Sequence, residues 1–206
     1  MIKLRSQNIP TWCPGCHDFI IFACLQQAIA KKEIDLNKLV IVYDIGCNGN
    51  MADFLKVFGV HSLHGRSIPT AVGIKLARPE LTVIVVGGEG GLYGEGMSHL
   101  IAAARLNIDI TVLVANNQLY SLTTGQSSPT TPKGAKTKST PKGDPSVPVE
   151  AVLLITTVNP EASAIYVTCL KPAEVTEAIV QGIEEKRFSL IDIDQLCVTF
   201  SKQLTQ

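Results

Sequence analysis

The chain has 206 residues, of which 46% are hydrophobic and 17% are charged, and its formal net charge is zero. This length and apolar content are typical of one domain with a sizeable core, and we expect a single domain over residues 1–206. Because a chain without a basic field has little to attract nucleic acid or an anionic membrane, we expect neither as a partner.

The first twenty residues and the cysteines bear on the cellular compartment. Lys3 and Arg5 are not followed by a continuous apolar run, and Pro10 and Pro14 interrupt the segment, so no secretory signal is predicted. No run approaches the roughly 18 apolar residues that a membrane span needs. We therefore expect a soluble, cytoplasmic protein, whose six cysteines are metal ligands or buried apolar residues rather than disulfides.

Strand-like runs alternate with helical patterns along most of the chain. The runs are rich in Val and Ile and are continuous, as strands that are buried on both faces should be. The predicted strands are 39–43, 81–86, 108–115, 164–168 and 189–193, and the predicted helices are 18–31, 68–77, 94–106 and 173–186. This alternation predicts an α/β fold with an open, mostly parallel sheet and helices on both faces.

One long segment, residues 121–149, does not follow the alternation. It is dominated by Ser, Thr, Pro, Gly and Lys and has no apolar period. A loop of this length in a compact domain is usually a lid, a binding loop or a disordered segment. Its lysines (Lys133, Lys136, Lys138 and Lys142) can meet an anion or a partner, but a solvated loop is the simpler interpretation.

Four cysteines stand where their side chains can meet. Cys13 and Cys16 form a C-x-x-C turn, while Cys47 and Cys197 follow the first and last predicted strands. The carboxyl ends of parallel strands gather at one edge of a sheet, so these thiols can converge as the ligands of a four-iron four-sulfur cluster. The lone C-x-x-C is also compatible with a redox dithiol, structural zinc or no function. The other two cysteines lie in apolar runs and are predicted core residues.

A glycine-rich turn, Gly87-Gly88-Glu89-Gly90-Gly91, follows the second predicted strand and precedes a helix. Such a turn brings backbone amides and the positive end of a helix toward a phosphate, although turns of this kind are common. The next strand ends at Asn116-Asn117. Carboxylate and amide oxygens at neighbouring strand ends are ligands for one hard cation, and magnesium shared with phosphate oxygens is the expected one.

The order of these motifs resembles a known family. Gly88-Glu89-Gly90 followed by Asn116-Asn117 looks like the thiamine-diphosphate motif. Further segments resemble the beta subunit of 2-oxoacid:ferredoxin oxidoreductases, and these are residues 12–16, 44–47, 64–66, 73–77, 125–130 and 197–200. The match covers nearly the whole chain in order, with a weaker patch over residues 146–163. It implies the thiamine-diphosphate-binding fold.

The resemblance also implies an activity. Members of this family oxidatively decarboxylate a 2-oxoacid to acyl-CoA and carbon dioxide and pass the electrons to ferredoxin. The implied cofactors are thiamine diphosphate, Mg²⁺ and one 4Fe-4S cluster. The implied partners are an alpha subunit, gamma and delta subunits in some members, ferredoxin, the 2-oxoacid and coenzyme A. The carboxylate that activates the cofactor belongs to a different domain or subunit, so this chain alone is expected to be inactive.

Individual residues take their expected roles from the resemblance. The implied cluster ligands are Cys13, Cys16, Cys47 and Cys197. The implied magnesium ligands are Glu89, Asn117 and the backbone carbonyl of Leu119. The implied cofactor-binding residues are Gly46, Cys47, His64, Gly65, Arg66, Gly88, Glu89, Gly90, Gly91, Asn117, Leu119, Tyr120 and Thr123. His64 is the implied catalytic residue of this chain, and a buried histidine with a structural role is the alternative.

Some features depart from the family pattern. Glu89 stands where the family has Asp, and Gly91 replaces a second acidic residue. His17 stands where Gly is usual, and the chain ends soon after Cys197. These departures leave two alternatives open. One is a non-redox thiamine-dependent 2-oxoacid decarboxylase subunit, and the other is a non-catalytic subunit with a degenerate cofactor site.

Two neutral positions bear on the substrate. Relatives that accept larger or dicarboxylic 2-oxoacids tend to carry a basic residue near the positions of Asn50 or Thr124. Both residues are neutral here, so a second carboxylate would lack a cationic partner. Pyruvate is therefore the expected substrate.

Overall fold

The computed structural model describes residues 4–205 and is built around a six-stranded sheet. In chain order the strands are β1 (Leu39–Tyr43), β2 (Phe58–His61), β3 (Thr82–Gly88), β4 (Thr111–Asn116), β5 (Leu119–Tyr120), β6 (Gln126–Ser127), β7 (Ser163–Thr168) and β8 (Ser189–Asp194). The helices are α1 (Asp18–Lys31), α2 (Ser67–Ala77), α3 (Met97–Arg105), α4 (Ala151–Val158) and α5 (Pro172–Glu184). The sheet has the order β2-β1-β3-β4-β8-β7 with every pair parallel, and β5 pairs with β6 as a separate antiparallel ribbon. The predicted fold class is confirmed.

The sheet is covered on both faces because alternate residues of each strand point to opposite sides. Ile41 and Ile84 pack on one face with α1 and α5. Val42 and Val85 pack on the other face with α2, α3 and α4. Burial on two sides explains why the strand sequences are continuous apolar runs rather than alternating ones.

Two elements of the structure were not expected from the sequence. β2 is a short edge strand whose residues are all exposed, so it carries no run of buried apolar residues. α4 follows the long polar segment, and its eight residues show no clear apolar period. A further difference lies at the predicted helix 94–106, where a π-helical turn over Gly90–Glu95 precedes α3. Within residues 4–205, no helix has the length and apolar character that a membrane crossing requires.

The long polar segment is held by hydroxyl hydrogen bonds. Thr131 Oγ1 donates to the carbonyl of Gln118 at 2.6 Å, and the hydroxyls of Thr137 and Thr140 lie 2.9 Å apart. These three threonines are buried or half-buried, while all the lysines of the segment are exposed. The exposed lysines are compatible with a solvated loop, while the threonine hydroxyls hold the segment together through bonds to a backbone carbonyl and to each other.

The strand order creates a crevice at the carboxyl ends of β1 and β3. After β1 the chain continues to β2 on one side, and after β3 it continues to β4 on the other side. Ligands of open α/β sheets bind in the crevice where such connections diverge. The predicted site residues follow these same strands.

Candidate functional site

A cleft opens at this carboxyl edge of the sheet, between the segments that follow β1, β2, β3 and β4. All of the predicted cofactor-binding residues line it except Gly65 and Arg66. The sequence did not predict four further lining residues, which are Ile45, Asn48, Ser121 and Leu122. The sequence could have predicted Asn48 and Ser121, because each is a polar residue that directly follows a predicted site residue.

Glu89 is buried in the cleft wall, with only 1% of its surface exposed. Its Oε2 accepts the backbone N–H of Asn117 at 3.3 Å, whereas its Oε1 has no hydrogen-bond partner among the described residues. Burial raises the pKa of Glu89 to about 7, although hydrogen bonds from Ser128 and from nearby backbone groups lower it. A cation beside the free Oε1 would offset the cost of burying this carboxylate.

The side chain of Asn117 organises the turn after β4. Its Oδ1 accepts the backbone N–H of Leu119 at 3.1 Å and the hydroxyl of Ser121 at 2.7 Å. This is the local side-chain-to-backbone pattern by which Asn favours turns. Magnesium at Oδ1 therefore requires the Ser121 hydroxyl to rotate away. With that one rearrangement, the free Glu89 Oε1 and the adjacent Asn117 fit a dication.

Asp44, directly after β1, joins the loops around the cleft. Its Oδ1 accepts the backbone N–H groups of Ile45 at 2.9 Å and Gly65 at 3.0 Å. Its Oδ2 accepts the hydroxyl of Ser67 at 2.5 Å. Asp44 is fully buried, so these protein donors replace the hydrogen bonds that water would make with an exposed carboxylate. Gly65 thus braces the loop after β2 against β1 and does not line the cleft.

Close contacts explain why glycine occupies positions 90 and 91. A Cβ atom at Gly90 would lie 2.3 Å from the Tyr120 ring, and a Cβ atom at Gly91 would lie 2.4 Å from Asp44 Oδ1. An acidic side chain at position 91 would also place a second negative charge against Asp44. The departure at Gly91 is therefore a consequence of where Asp44 lies.

His64 and Arg66 lie at the rim. His64 lines the cleft and is half-buried, with Nδ1 2.8 Å from Glu95 Oε2. Nη1 of Arg66 donates to the backbone carbonyls of Gly65 and Glu95, both at 3.1 Å. The side chain of His64 can meet a ligand in the cleft, whereas Arg66 holds two loops together.

The four predicted cluster ligands are neighbours. Cys13 is exposed, and Cys16, Cys47 and Cys197 are half-buried. Burial, followed by the charges of Asp18, Cys197 and Cys13, raises the pKa of Cys47 to about 12. Burial and the charge of Asp18 similarly raise the pKa of Cys16 to about 12, with a smaller effect of Cys47. These interactions place Cys13, Cys16 and Cys197 each within electrostatic reach of Cys47.

The arrangement of these thiols differs from a mononuclear metal site. In the part of the chain that the structure describes, no three His, Cys, Asp or Glu side chains converge on a single ion. A cubane cluster spreads its four thiolates over four iron atoms, so its ligands do not converge on one point. Cys24 and Cys169 are each 1% exposed, and the prediction that they are core residues is confirmed.

Trp12 ties the C-x-x-C turn to the loop after β1. Its Nε1 donates to the carbonyl of Cys47 at 2.6 Å. Its ring makes edge-on contacts with Phe19, Phe22 and Phe54 at centroid distances of 5.1, 5.6 and 5.1 Å. Such aromatic contacts add to the apolar area that the ring buries, so this turn is firmly held although it precedes any helix or strand.

Comparisons with known proteins agree with this geometry. Residues 44–193 match the family model described as "Thiamine pyrophosphate enzyme, C-terminal TPP binding domain". The chain is 40% identical over 203 residues to the 2-oxoglutarate synthase subunit KorB of Archaeoglobus fulgidus, and the alignment covers 97% of this chain and 74% of that protein. The chain belongs to the 2-oxoacid:ferredoxin oxidoreductase beta-subunit family.

Other members of the family extend the match. Subunit beta of 2-oxoacid:ferredoxin oxidoreductase 1 from Aeropyrum pernix is 43% identical over 201 residues, covering 96% of this chain but 62% of that subunit. The chain therefore spans less than two thirds of the length of that relative. A solved structure titled as the 2-oxoglutarate:ferredoxin oxidoreductase from Magnetococcus marinus with 2-oxoglutarate, coenzyme A and succinyl-CoA bound has a TM-score of 0.93 at 34% identity. The match covers 96% of this chain and 67% of the chain in the solved structure.

The contact between Gly91 and Asp44 gives a stability prediction. We expect Gly91→Ala to lower the free energy of unfolding by about 1–3 kcal/mol, because the added Cβ forces buried groups apart. Urea unfolding followed by circular dichroism measures the effect. Gly73→Ala in α2 is the matched control, since its Cβ would have nothing within 4 Å and alanine favours a helix. Equal stabilities of the two variants would contradict the placement of Asp44.

Proposed function

We propose that this chain is the thiamine-diphosphate-binding and iron–sulfur-binding subunit of a 2-oxoacid:ferredoxin oxidoreductase. The enzyme would convert a 2-oxoacid and coenzyme A to acyl-CoA and carbon dioxide and pass the electrons to ferredoxin. The observation that supports the proposal best is that Cys47 borders both the cleft and the other thiols. It lines the cleft and is also within electrostatic reach of Cys13 and Cys197. A redox centre on these thiols would adjoin a cofactor in the cleft.

Each part of the cleft has a role in this proposal. Bound thiamine diphosphate would supply a carbanion at thiazolium C2 for attack on the 2-oxo carbon. Glu89, Asn117 and the carbonyl of Leu119 would hold Mg²⁺ on the diphosphate. The backbone of the turn from Gly88 to Gly91 would face the phosphate oxygens, and His64 would line the cofactor site from the rim. Cys13, Cys16, Cys47 and Cys197 would bind one 4Fe-4S cluster.

The alternatives account for fewer observations. A non-redox decarboxylase subunit leaves four neighbouring thiols without a role. A degenerate, non-catalytic subunit leaves the buried Glu89 with an unsatisfied Oε1, which is costly without a cation. All six cysteines are free thiols, which supports a reducing compartment such as the cytoplasm.

Pyruvate is our proposed substrate. Asn50 and Thr124 are neutral, and neither offers a cationic partner for a second carboxylate. Nζ of Lys138 donates to Thr124 Oγ1 at 2.7 Å, so one cation does approach this position. Lys138 is exposed and is not among the residues that line the cleft, which favours a substrate with a single carboxylate.

Our first test of the site concerns the metal. Glu89→Gln should weaken thiamine diphosphate binding about tenfold or more in the presence of Mg²⁺, because a charged ligand becomes neutral beside a dication. Glu89→Asp should retain binding. Isothermal titration calorimetry measures both, with Glu80→Gln on the protein surface as the control. Unchanged binding in the Glu89→Gln variant would mean that Glu89 is not a ligand.

The iron content tests the cluster. Replacing Cys13, Cys16, Cys47 or Cys197 by Ala should remove most of the iron and the visible absorption of anaerobically purified protein, since a cubane needs all four thiolates. Cys24→Ala is the control and should keep the iron, because this thiol is buried in the core. Equal iron loss in the control would refute the ligand assignment. A wild-type protein without iron would favour the non-redox alternative.

Turnover tests the partner and the substrate together. The cleft exposes Ile45 and Leu122, at 36% and 53% of their surface, and Leu63, which precedes the cleft residue His64 in the chain, is 78% exposed. Such exposed apolar residues suit a covering subunit. We expect no turnover from the chain alone and faster turnover with pyruvate than with 2-oxoglutarate once the alpha subunit is added. Ferredoxin reduction is the readout. Full activity of the isolated chain would overturn the shared-site proposal, and faster turnover with 2-oxoglutarate would overturn pyruvate.

A further inference from the structure

We propose that His17 is a positioning residue that clamps the two cluster-bearing segments at opposite ends of the chain. Those segments are residues 13–16, before α1, and residues 195–201, after β8. The clamp consists of the contacts of His17 with Cys169 and Leu196, neither of which is a proposed ligand. Its importance for a cluster rests on the proposed function.

The imidazole of His17 meets two donors at one nitrogen. The backbone N–H of Leu196 donates to Nδ1 at 3.0 Å, and Cys169 Sγ lies 2.9 Å from the same nitrogen. Because a backbone N–H can only donate, Nδ1 carries the lone pair and Nε2 carries the ring proton. The thiol of Cys169 is then the second donor to that lone pair.

The hydrogen bond between Leu196 and His17 joins two segments that are far apart in the sequence. His17 and Leu196 are 179 residues apart. His17 directly follows Cys16, and Leu196 directly precedes Cys197, so the hydrogen bond joins two segments one residue away from a thiol on each side. The clamp fixes the separation of these thiols without touching the sulfur of either one.

Cys169 connects the clamp to the sheet. It follows β7, is 1% exposed, and donates its backbone N–H to the carbonyl of Asp194 at the end of β8, at 2.9 Å. His17 is therefore held against the carboxyl ends of two paired strands rather than against a free loop. Groups that orient a ligand from a rigid element in this way preorganise a metal site.

Other contacts also join these two segments. Thr199 Oγ1 donates to Cys13 Sγ at 3.4 Å, and both residues lie at the protein surface. Asp18 and Gln195 also interact, and this contact reinforces the same junction. Trp12 joins the first segment to the loop of Cys47 and has no part in placing Cys197. Loss of His17 would leave the N–H of Leu196 without its partner and the last segment less restrained.

The experiment measures how fast the cluster is lost from anaerobically purified holoprotein after addition of a chelator and an oxidant. His17→Ala should lose its visible absorption about three- to tenfold faster than wild type and should change the electron paramagnetic resonance spectrum of the reduced cluster. His17→Asn should restore the wild-type rate and spectrum, because its amide oxygen can accept the Leu196 N–H. His99→Ala in α3 is the matched control and should behave as wild type.

A wild-type rate in His17→Ala would overturn the proposal, and so would a failure of His17→Asn to restore it. If His17→Ala does not fold, His17→Leu takes its place, since it fills the same space without an acceptor. Hydrogen exchange of the Leu196 amide in the iron-free chain separates the clamp from the proposed function. Exchange should be faster in His17→Ala than in wild type. Equal exchange would refute the clamp, whereas an iron-free wild type would refute the proposed function alone.

Discussion

The buried carboxylate of Asp44 is the constraint on which the cleft depends. A fully buried carboxylate needs hydrogen-bond donors from the protein. Asp44 receives them from Ile45 after β1, from Gly65 in the loop after β2, and from Ser67 at the start of α2. The ends of β1 and α2 are thereby locked together. Oδ1 of Asp44 also leaves no space for a side chain at Gly91, so the turn after β3 must approach as bare backbone. One carboxylate thus shapes both walls.

The sheet topology explains why one loop can border both the cleft and the C-x-x-C turn. Parallel strands deliver their following residues to the same edge, and the divergence of the chain after β1 and β3 opens that edge. Cys47 lies in the loop after β1, where one side of the loop faces the cleft and the other faces the C-x-x-C turn. The cleft and the C-x-x-C turn are therefore close because of the sheet topology, and no additional segment is needed to bring them together.

The sequence predicted the features that depend on local patterns. Strands buried on both faces left continuous apolar runs, so the central sheet was predictable, and Glu89 was found from its position between glycines after such a run. β2 was missed because an exposed four-residue edge strand has no apolar signature. The role of Asp44 was also missed, since its donors lie up to 23 positions away and only the folded chain brings them together. The bond from Thr131 to the carbonyl of Gln118, 13 positions away, was missed for the same reason.

The thiols of Cys13 and Cys197 come from opposite ends of the chain, and this has a consequence for biosynthesis. β8 must pair with β4 and β7 before Cys197 reaches the other thiols, and β8 is the last of the described strands in chain order. Contacts of such large sequence separation form late in folding. The four thiols are therefore brought together only after the six-stranded sheet has formed, so iron and sulfide for the proposed cluster would be delivered to an already folded sheet.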